Sequence, residues 1–260
     1  MHKLSIVTIT RNSEECLEQT ITSVIEQTYP DIEYIIVDGA SDDGTLDIIR
    51  KYDEHIDRWI SEPDRGIADA MNKAVDLATG DFVYFLHSDD YLESDTAISD
   101  ASQHLAADKD IYLFSIYLEK DGKKTMHRPR GLNWWLNFKP GVYHQSAICR
   151  RSLFDRIGLF DADLRLGMDY DFFLRAYKRG VNAVRIDSPL ATMRLTGISS
   201  RTDWQSLRER FREERVIQQK NCSSVWMRLV YAIWWSFYLP YRKFRCTTAV
   251  DAADGPRTRA

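Results

Sequence analysis

Hydrophobic and polar positions alternate along the first ninety residues in a repeating way. Apolar runs at Leu4–Thr10, Tyr34–Val37, Trp59–Ser61 and Phe82–Leu86 read as strands. The run 82–86 is apolar throughout, as a strand buried on both faces must be. Between these runs the apolar residues recur at helical spacing: Leu17, Ile21, Val24 and Ile25, a short stretch to Tyr52, then Ile67, Met71, Ala74, Val75 and Ala78, closed by Gly80. Asn12 followed by Glu15 has the spacing of a capping box. Strands alternating with helices predict an α/β fold with a doubly wound, mostly parallel sheet.

After Asp90 the rhythm changes. A helix is expected from Asp95 to Ala107, and strands at 111–120 and 123–126 flank Asp121-Gly122, a hairpin dipeptide. Residues 128–141 are irregular and hold Trp134-Trp135, of which one is expected in the core and one as an exposed stacking platform. A short helix at 152–157, a longer one at 169–178 ending at Gly180, and strands at 181–186 and 190–195 complete the body. Domain boundaries follow: a main domain over 1–200 with halves 1–95 and 96–200, a helical extension over 201–245, and a disordered tail over 246–260.

Composition changes this picture in one respect. The net charge of −4 gives no reason to expect nucleic acid. However, residues 201–245 hold ten Lys and Arg against four Asp and Glu, so with a neutral tail the first 200 carry −10. The aromatic run from Val225 to Tyr241, flanked by Arg242, Lys243 and Arg245, is too interrupted to span a bilayer. It predicts an interfacial helix on an anionic membrane surface, or a helix packed on protein. Four scattered cysteines suggest a reducing compartment, and the N-terminus enters a strand at Leu4 without a leader pattern. A cytoplasmic protein, peripheral on the inner membrane, is the expectation, and an oligomer remains open.

The strand 82–86 runs into His87-Ser88-Asp89-Asp90. Open α/β sheets bind ligands beyond the carboxyl ends of their strands, and two carboxylates there suit Mg2+ or Mn2+ held together with phosphate. Together with Ser5–Asn12, Ile36–Thr45 and Ala70–Lys73, this stretch resembles the family-two glycosyltransferases. The similarity extends from Leu4 to Leu195, and its flavour is that of small bacterial enzymes extending lipid-linked oligosaccharides in exopolysaccharide or O-antigen synthesis.

That resemblance implies a GT-A fold and an inverting, metal-dependent transfer from a nucleotide-diphosphate sugar, a UDP-sugar above all, to a lipid-linked saccharide. It assigns Asp89 to the ribose side and the metal, Asp90 to the metal, and Asp38 to the nucleobase. Thr8, Thr10 and Asn12 would border base and ribose, Arg65 would reach the diphosphate, and His144 would meet the donor sugar or diphosphate. Asp169 takes the place of the catalytic base, with Asp171 as runner-up, in a first helical turn whose dipole favours the carboxylate. Asp38, Asn12 and Asp169 also have ordinary readings as turn and cap residues, and Arg65 as a solvated loop residue.

The chain departs from the family at Ile9, His87 and Met168. A dehydrogenase would need a Gly-rich turn after the first strand. The alternatives kept are a nucleotidyltransferase of related fold and a non-catalytic nucleotide-sugar-binding module.

Overall fold

The computed structural model describes residues 2–106, 108–196 and 203–253, with side chains up to 246. It divides into one unit ending at Thr196 and a second from Gly197. The first unit is built on nine strands: β1 (Leu4–Thr10), β2 (Ile32–Asp38), β3 (Arg58–Ser61), β4 (Phe82–Phe85), β5 (Tyr91–Leu92), β6 (Ile111–Lys120), β7 (Lys123–His127), β8 (Ala147–Arg150) and β9 (Ala183–Arg194). Their order is β3-β2-β1-β4-β8-β6-β9-β5, with β7 on β6. The first four strands are mutually parallel, β8 runs antiparallel between β4 and β6, and β6 pairs parallel with β9.

The chain winds from β1 to β2 on one side and returns to β4 on the other, so the ends of β1, β2 and β4 border the switch point where such sheets take ligands. Register makes these ends level. Thr10 faces Asp38, Asp38 faces Ser61, and beyond β4 the backbone N–H groups of Leu86 and Ser88 still donate to Val7 and Ile9.

Alternation along β4 feeds both faces of the sheet. Phe82 and Tyr84 join Leu17, Ile21 and Val24 of α1 (Leu17–Ile25) in one core layer. On the other face Phe85 meets Phe154 of α5 (Ser152–Ile157) and Phe160, which contact Phe172 of α6 (Met168–Lys178) at centroid distances of 5.0 and 4.8 Å. This aromatic wedge seats the start of α6 beside the end of β4.

Several local expectations fail for identifiable reasons. No capping box forms at Asn12: its φ is 50°, its Oδ1 accepts from Asp42 N–H, and α1 begins five residues later. Asn12 ties two loops together instead. The helix expected over 95–107 is α4 (Ala97–Ser102), and Ala107 lies outside the described residues. The strands expected at 181–186 and 190–195 are the single β9, with register irregularities opposite Ser115 where Pro189 interrupts the ladder. The hairpin does form as the dipeptide demands, with φ of 50° at Asp121 and 71° at Gly122.

The helices α2 (Thr45–Lys51) and α3 (Ile67–Leu77) complete the first unit. The second contains α7 (Trp204–Lys220) and α8 (Val225–Ala253). Trp235 of α8 donates from Nε1 to Gln218 Oε1 at 2.6 Å and lies against Phe211. Pro240 does not end α8, which runs on to Ala253; a proline removes one helical hydrogen bond but does not by itself stop a helix supported on both sides. Thus the segment expected as a tail begins helically, and 254–260 lie outside the described residues. No helix among the described residues is long and apolar enough to cross a membrane.

Candidate active site

The turn after β4 is pinned from α1. Thr20 Oγ1 lies 2.8 Å and 2.7 Å from the carbonyl oxygens of Ser88 and Asp90, and Ser13 Oγ is 2.8 Å from Ser88 Oγ. This turn separates the two acids by environment. Asp90 is 1% exposed; its Oδ2 accepts from Gln145 Nε2 at 3.0 Å and its Oδ1 from the Arg194 backbone N–H at 3.1 Å. Burial and then the neighbouring Asp89 push its pKa up to about 8. Asp89 is only half-buried, and its carboxylate accepts one long hydrogen bond, from Thr196 Oγ1 at 3.4 Å. Its pKa is also raised, chiefly by burial.

Asp169 arrives from the second half of the sheet, in the first turn of α6. Its Oδ2 accepts from both the backbone N–H of His144, at 3.3 Å, and the imidazole Nδ1, at 2.7 Å. Its Oδ1 has no hydrogen-bond partner, and neither has Nε2 of His144. Buried polar atoms without partners are uncommon in folded proteins, and here they concentrate around the two acids. Oε1 of Gln145 and Nε2 of His87 belong to the same group.

The rings of His87 and His144 lie 4.1 Å apart, tilted by 37°. Burial and the charge of His144 hold the His87 pKa well below its ordinary value. For His144 burial pulls the same way, but the carboxylates of Asp169, Asp90 and Asp89 outweigh it and raise its pKa. His144 therefore stands among three acids, two from the turn after β4 and one from α6, whose charges favour its protonated form.

Other predicted residues fall elsewhere. Thr8 is fully buried and its hydroxyl bonds Tyr34 OH at 3.1 Å, so it serves the core. Asp38 is 0% exposed and its carboxylate accepts from Ser41 N–H, Ser41 Oγ and Ser61 Oγ. Those bonds brace the turns after β2 and β3, and neither Thr8 nor Asp38 offers a free surface to a ligand here. Thr10, at the end of β1, keeps an Oγ1 without a partner.

Arg65 is exposed and pairs with Asp69 one helical turn on, at 3.2 Å. Asp171 is buried and receives Arg175 Nε at 2.7 Å, a brace within α6 rather than a second base. Trp134 and Trp135 are both more than half exposed, so the expectation that one enters the core is wrong. They sit on a one-turn helix, 134–137, whose inward residues are Leu136 and Asn137.

Arg194 went unnoticed in the sequence. Besides its backbone bond to Asp90, its guanidinium donates to the Asp89 carbonyl at 2.9 Å and to Gln19, and lies over the Tyr91 ring. A lone Arg at a strand end carries no motif; only the β5–β9 pairing, which sets Tyr91 against Thr192, brings it to the acidic turn.

A hard divalent cation takes one or two carboxylates and fills its shell with phosphate oxygens and water. Asp89, with spare acceptor capacity and partial exposure, fits that requirement. Asp90, with both oxygens bonded inside the protein, does not fit it without rearranging. No cluster of three His, Cys, Asp or Glu side chains among the described residues would hold a metal unaided.

Comparison with known proteins agrees with this geometry. Residues 5–182 match the model of Glycosyl transferase family 2. A PGL/p-HBAD biosynthesis glycosyltransferase of Mycobacterium bovis is 35% identical over 183 residues, covering 66% of this chain and 69% of that protein. The Bacillus subtilis protein TuaG, named for teichuronic acid biosynthesis, is 29% identical over 88% of this chain and 94% of its own length.

Among solved structures, a Pyrobaculum calidifontis mannosyltransferase in complex with GDP-Man and Mn2+ aligns over 98% of this chain and 76% of its own, with a TM-score of 0.68 at 20% identity. Staphylococcus aureus TarS 1–349 with UDP-GlcNAc gives 0.62 at 23% identity over 74% of this chain. The chain spans only 36% of a longer TarS chain, so that likeness concerns the fold. Sheet order, an acidic turn at the switch point and the match across two-thirds of the chain lead to one assignment. The fold is that of the GT-A glycosyltransferases, and the chain belongs to glycosyl transferase family 2.

Proposed function

We propose that this chain is an inverting, metal-assisted transferase that moves a sugar from a nucleotide-diphosphate donor to a hydroxyl of a lipid-linked saccharide, in the synthesis of cell-surface polysaccharide. The observation that carries this reading is the convergence of Asp169 and the Asp89-Asp90 turn on His144 from opposite halves of the sheet. A transferase needs that division: a site for the departing diphosphate on one side and a base for the incoming hydroxyl on the other.

In the proposed reaction the acceptor oxygen bonds to the anomeric carbon from the face opposite the leaving group. Its proton passes to the Asp169 carboxylate, whose Oδ1 has spare lone pairs. The bond between anomeric carbon and diphosphate oxygen breaks, and its electron pair leaves with the nucleoside diphosphate. Asp89 would hold Mg2+ or Mn2+, with Asp90 as a buried support that fixes the turn; the ion would neutralise charge on the leaving group. Thr10 borders the nucleoside end. A UDP-sugar is the donor favoured, in keeping with UDP-GlcNAc in the TarS complex, while GDP-Man in the mannosyltransferase complex makes GDP-sugars the comparison to run.

The acceptor side rests on α8. Trp226, Leu229, Ile233, Phe237, Tyr241 and Phe244 recur at helical spacing and are all more than half exposed. With Arg242, Lys243 and Arg245 at one end, this stripe suits the headgroup region of an anionic leaflet and supports a peripheral position on the cytoplasmic membrane face.

Turnover of UDP-, GDP- and dTDP-sugars with bacterial lipid extract as acceptor tests the reaction. Wild type should transfer from one of them. Asp169→Asn should lose about 10²–10⁴-fold in kcat while still binding that donor. An Asp169→Asn variant with full transfer would remove the base; a wild type that binds donor without turnover would make the chain a binding module.

A further inference from the structure

We propose that His144 is a positioning residue that fixes the Asp169 carboxylate for proton transfer, and that His87 locks the His144 ring in place. This rests on Asp169 acting as the base. A carboxylate in the first turn of a helix is ordinarily favoured simply by the helix dipole and needs no partner elsewhere. Asp169 instead directs Oδ2 to a residue 25 positions earlier, where main chain and side chain both donate to the same oxygen.

Two donors on one oxygen set the carboxylate plane and leave its other oxygen without a protein hydrogen. The geometry also fixes the imidazole: an acceptor that is a carboxylate oxygen requires the hydrogen on Nδ1. Freedom about the ring bonds is removed from the other side, where the partly buried His87 ring sits 4.1 Å away, tilted by 37°. His87 stands immediately before Ser88-Asp89-Asp90, so the same turn that offers Asp89 also braces the histidine that holds the base.

The arrangement accounts for two imidazoles that the transfer reaction does not otherwise require. Displacing a reacting group by about 1 Å costs on the order of 100-fold in rate. His144→Ala should therefore lower kcat by about that factor, with affinity for the donor unchanged. His144→Asn, whose side-chain N–H can stand near the place of Nδ1–H, should recover most of the loss.

A contact between His144 and donor would instead raise the donor KM in both variants, and equal rates for Ala and Asn would likewise overturn the proposal. A second measurement needs no substrate. In 15N-histidine NMR of the whole chain, Nδ1 of His144 should carry hydrogen in wild type, and its resonance should shift in Asp169→Ala. An unprotonated Nδ1, or a resonance indifferent to Asp169→Ala, overturns the proposal independently. Failure of the base reading would look different: Asp169→Asn would then transfer at full rate. An inactive Asp169→Asn beside a fully active His144→Ala would sink the positioning role alone.

Discussion

Glu33 and Asp90 are both buried carboxylates, and the chain treats them in opposite ways. Burial alone would raise both. Glu33 escapes because Ser5 Oγ, Thr79 N–H, Thr79 Oγ1 and Lys3 Nζ all donate to it, which brings its pKa down to about 2. Asp90 has two donors and a second carboxylate beside it, and rises to about 8. The two have opposite consequences for stability.

A depressed carboxylate stabilises the fold above its ordinary pKa near 4.5, and that contribution is lost as pH falls toward 2. A raised one contributes below its ordinary 3.8 and loses that contribution as pH climbs to about 8. Glu33→Gln should therefore flatten the acid limb of the stability curve, removing on the order of 3 kcal/mol of its pH dependence between pH 5 and pH 2. Urea denaturation across that range reads the change, and an unaltered acid limb would contradict the account. Which of two adjacent acids would face a ligand was not legible in the sequence. Asp90 is set apart from Asp89 by Gln145 and Arg194, which the fold brings from far along the chain.

Among elements, the strand after Gly80 shows how tightly the site is framed. A Cβ added at Gly80 would lie 2.7 Å from Lys3 O and 2.8 Å from Ser5 N, main-chain atoms of or next to β1 that have no room to retreat. Gly80→Ala should cost about 1–3 kcal/mol in thermal or chemical unfolding. A change under about 0.5 kcal/mol, the range of neutral surface substitutions, would show that β4 can shift on β1.

Elements whose apolar period is long and regular, β1, β2, β4, α1 and α3, could be read directly, as could the Asp121-Gly122 hairpin. The failures share a cause. Asn12 and Pro189 each carry a strong local preference, and in each case a tertiary partner overrides it. Trp134 and Trp135 misled differently, because a large apolar side chain indicates burial somewhere and gives no direction.

At the scale of the whole chain, charge and apolar surface are divided between units. The first carries the acids and the transferase fold, and the second presents the exposed stripe of α8. Sedimentation with anionic vesicles should recover the wild-type chain, and Trp226→Ser with Phe237→Ser should weaken that binding about tenfold or more, given the apolar area removed from the interface. Unchanged sedimentation of the double variant would place the stripe against protein. The family was legible because the ordered motifs span both halves of the sheet; sugar and acceptor were not, because loops and surfaces outside those motifs select them.

In the proposed reaction Asp89 and a divalent ion together receive the diphosphate of the donor. Calorimetry of UDP, GDP and dTDP against the whole chain, with and without Mn2+, tests it most directly. One nucleoside diphosphate should bind to wild type, more tightly with Mn2+, and Asp89→Asn should abolish the Mn2+ effect. Binding that is indifferent to Mn2+, or no binding of any of the three, would contradict it.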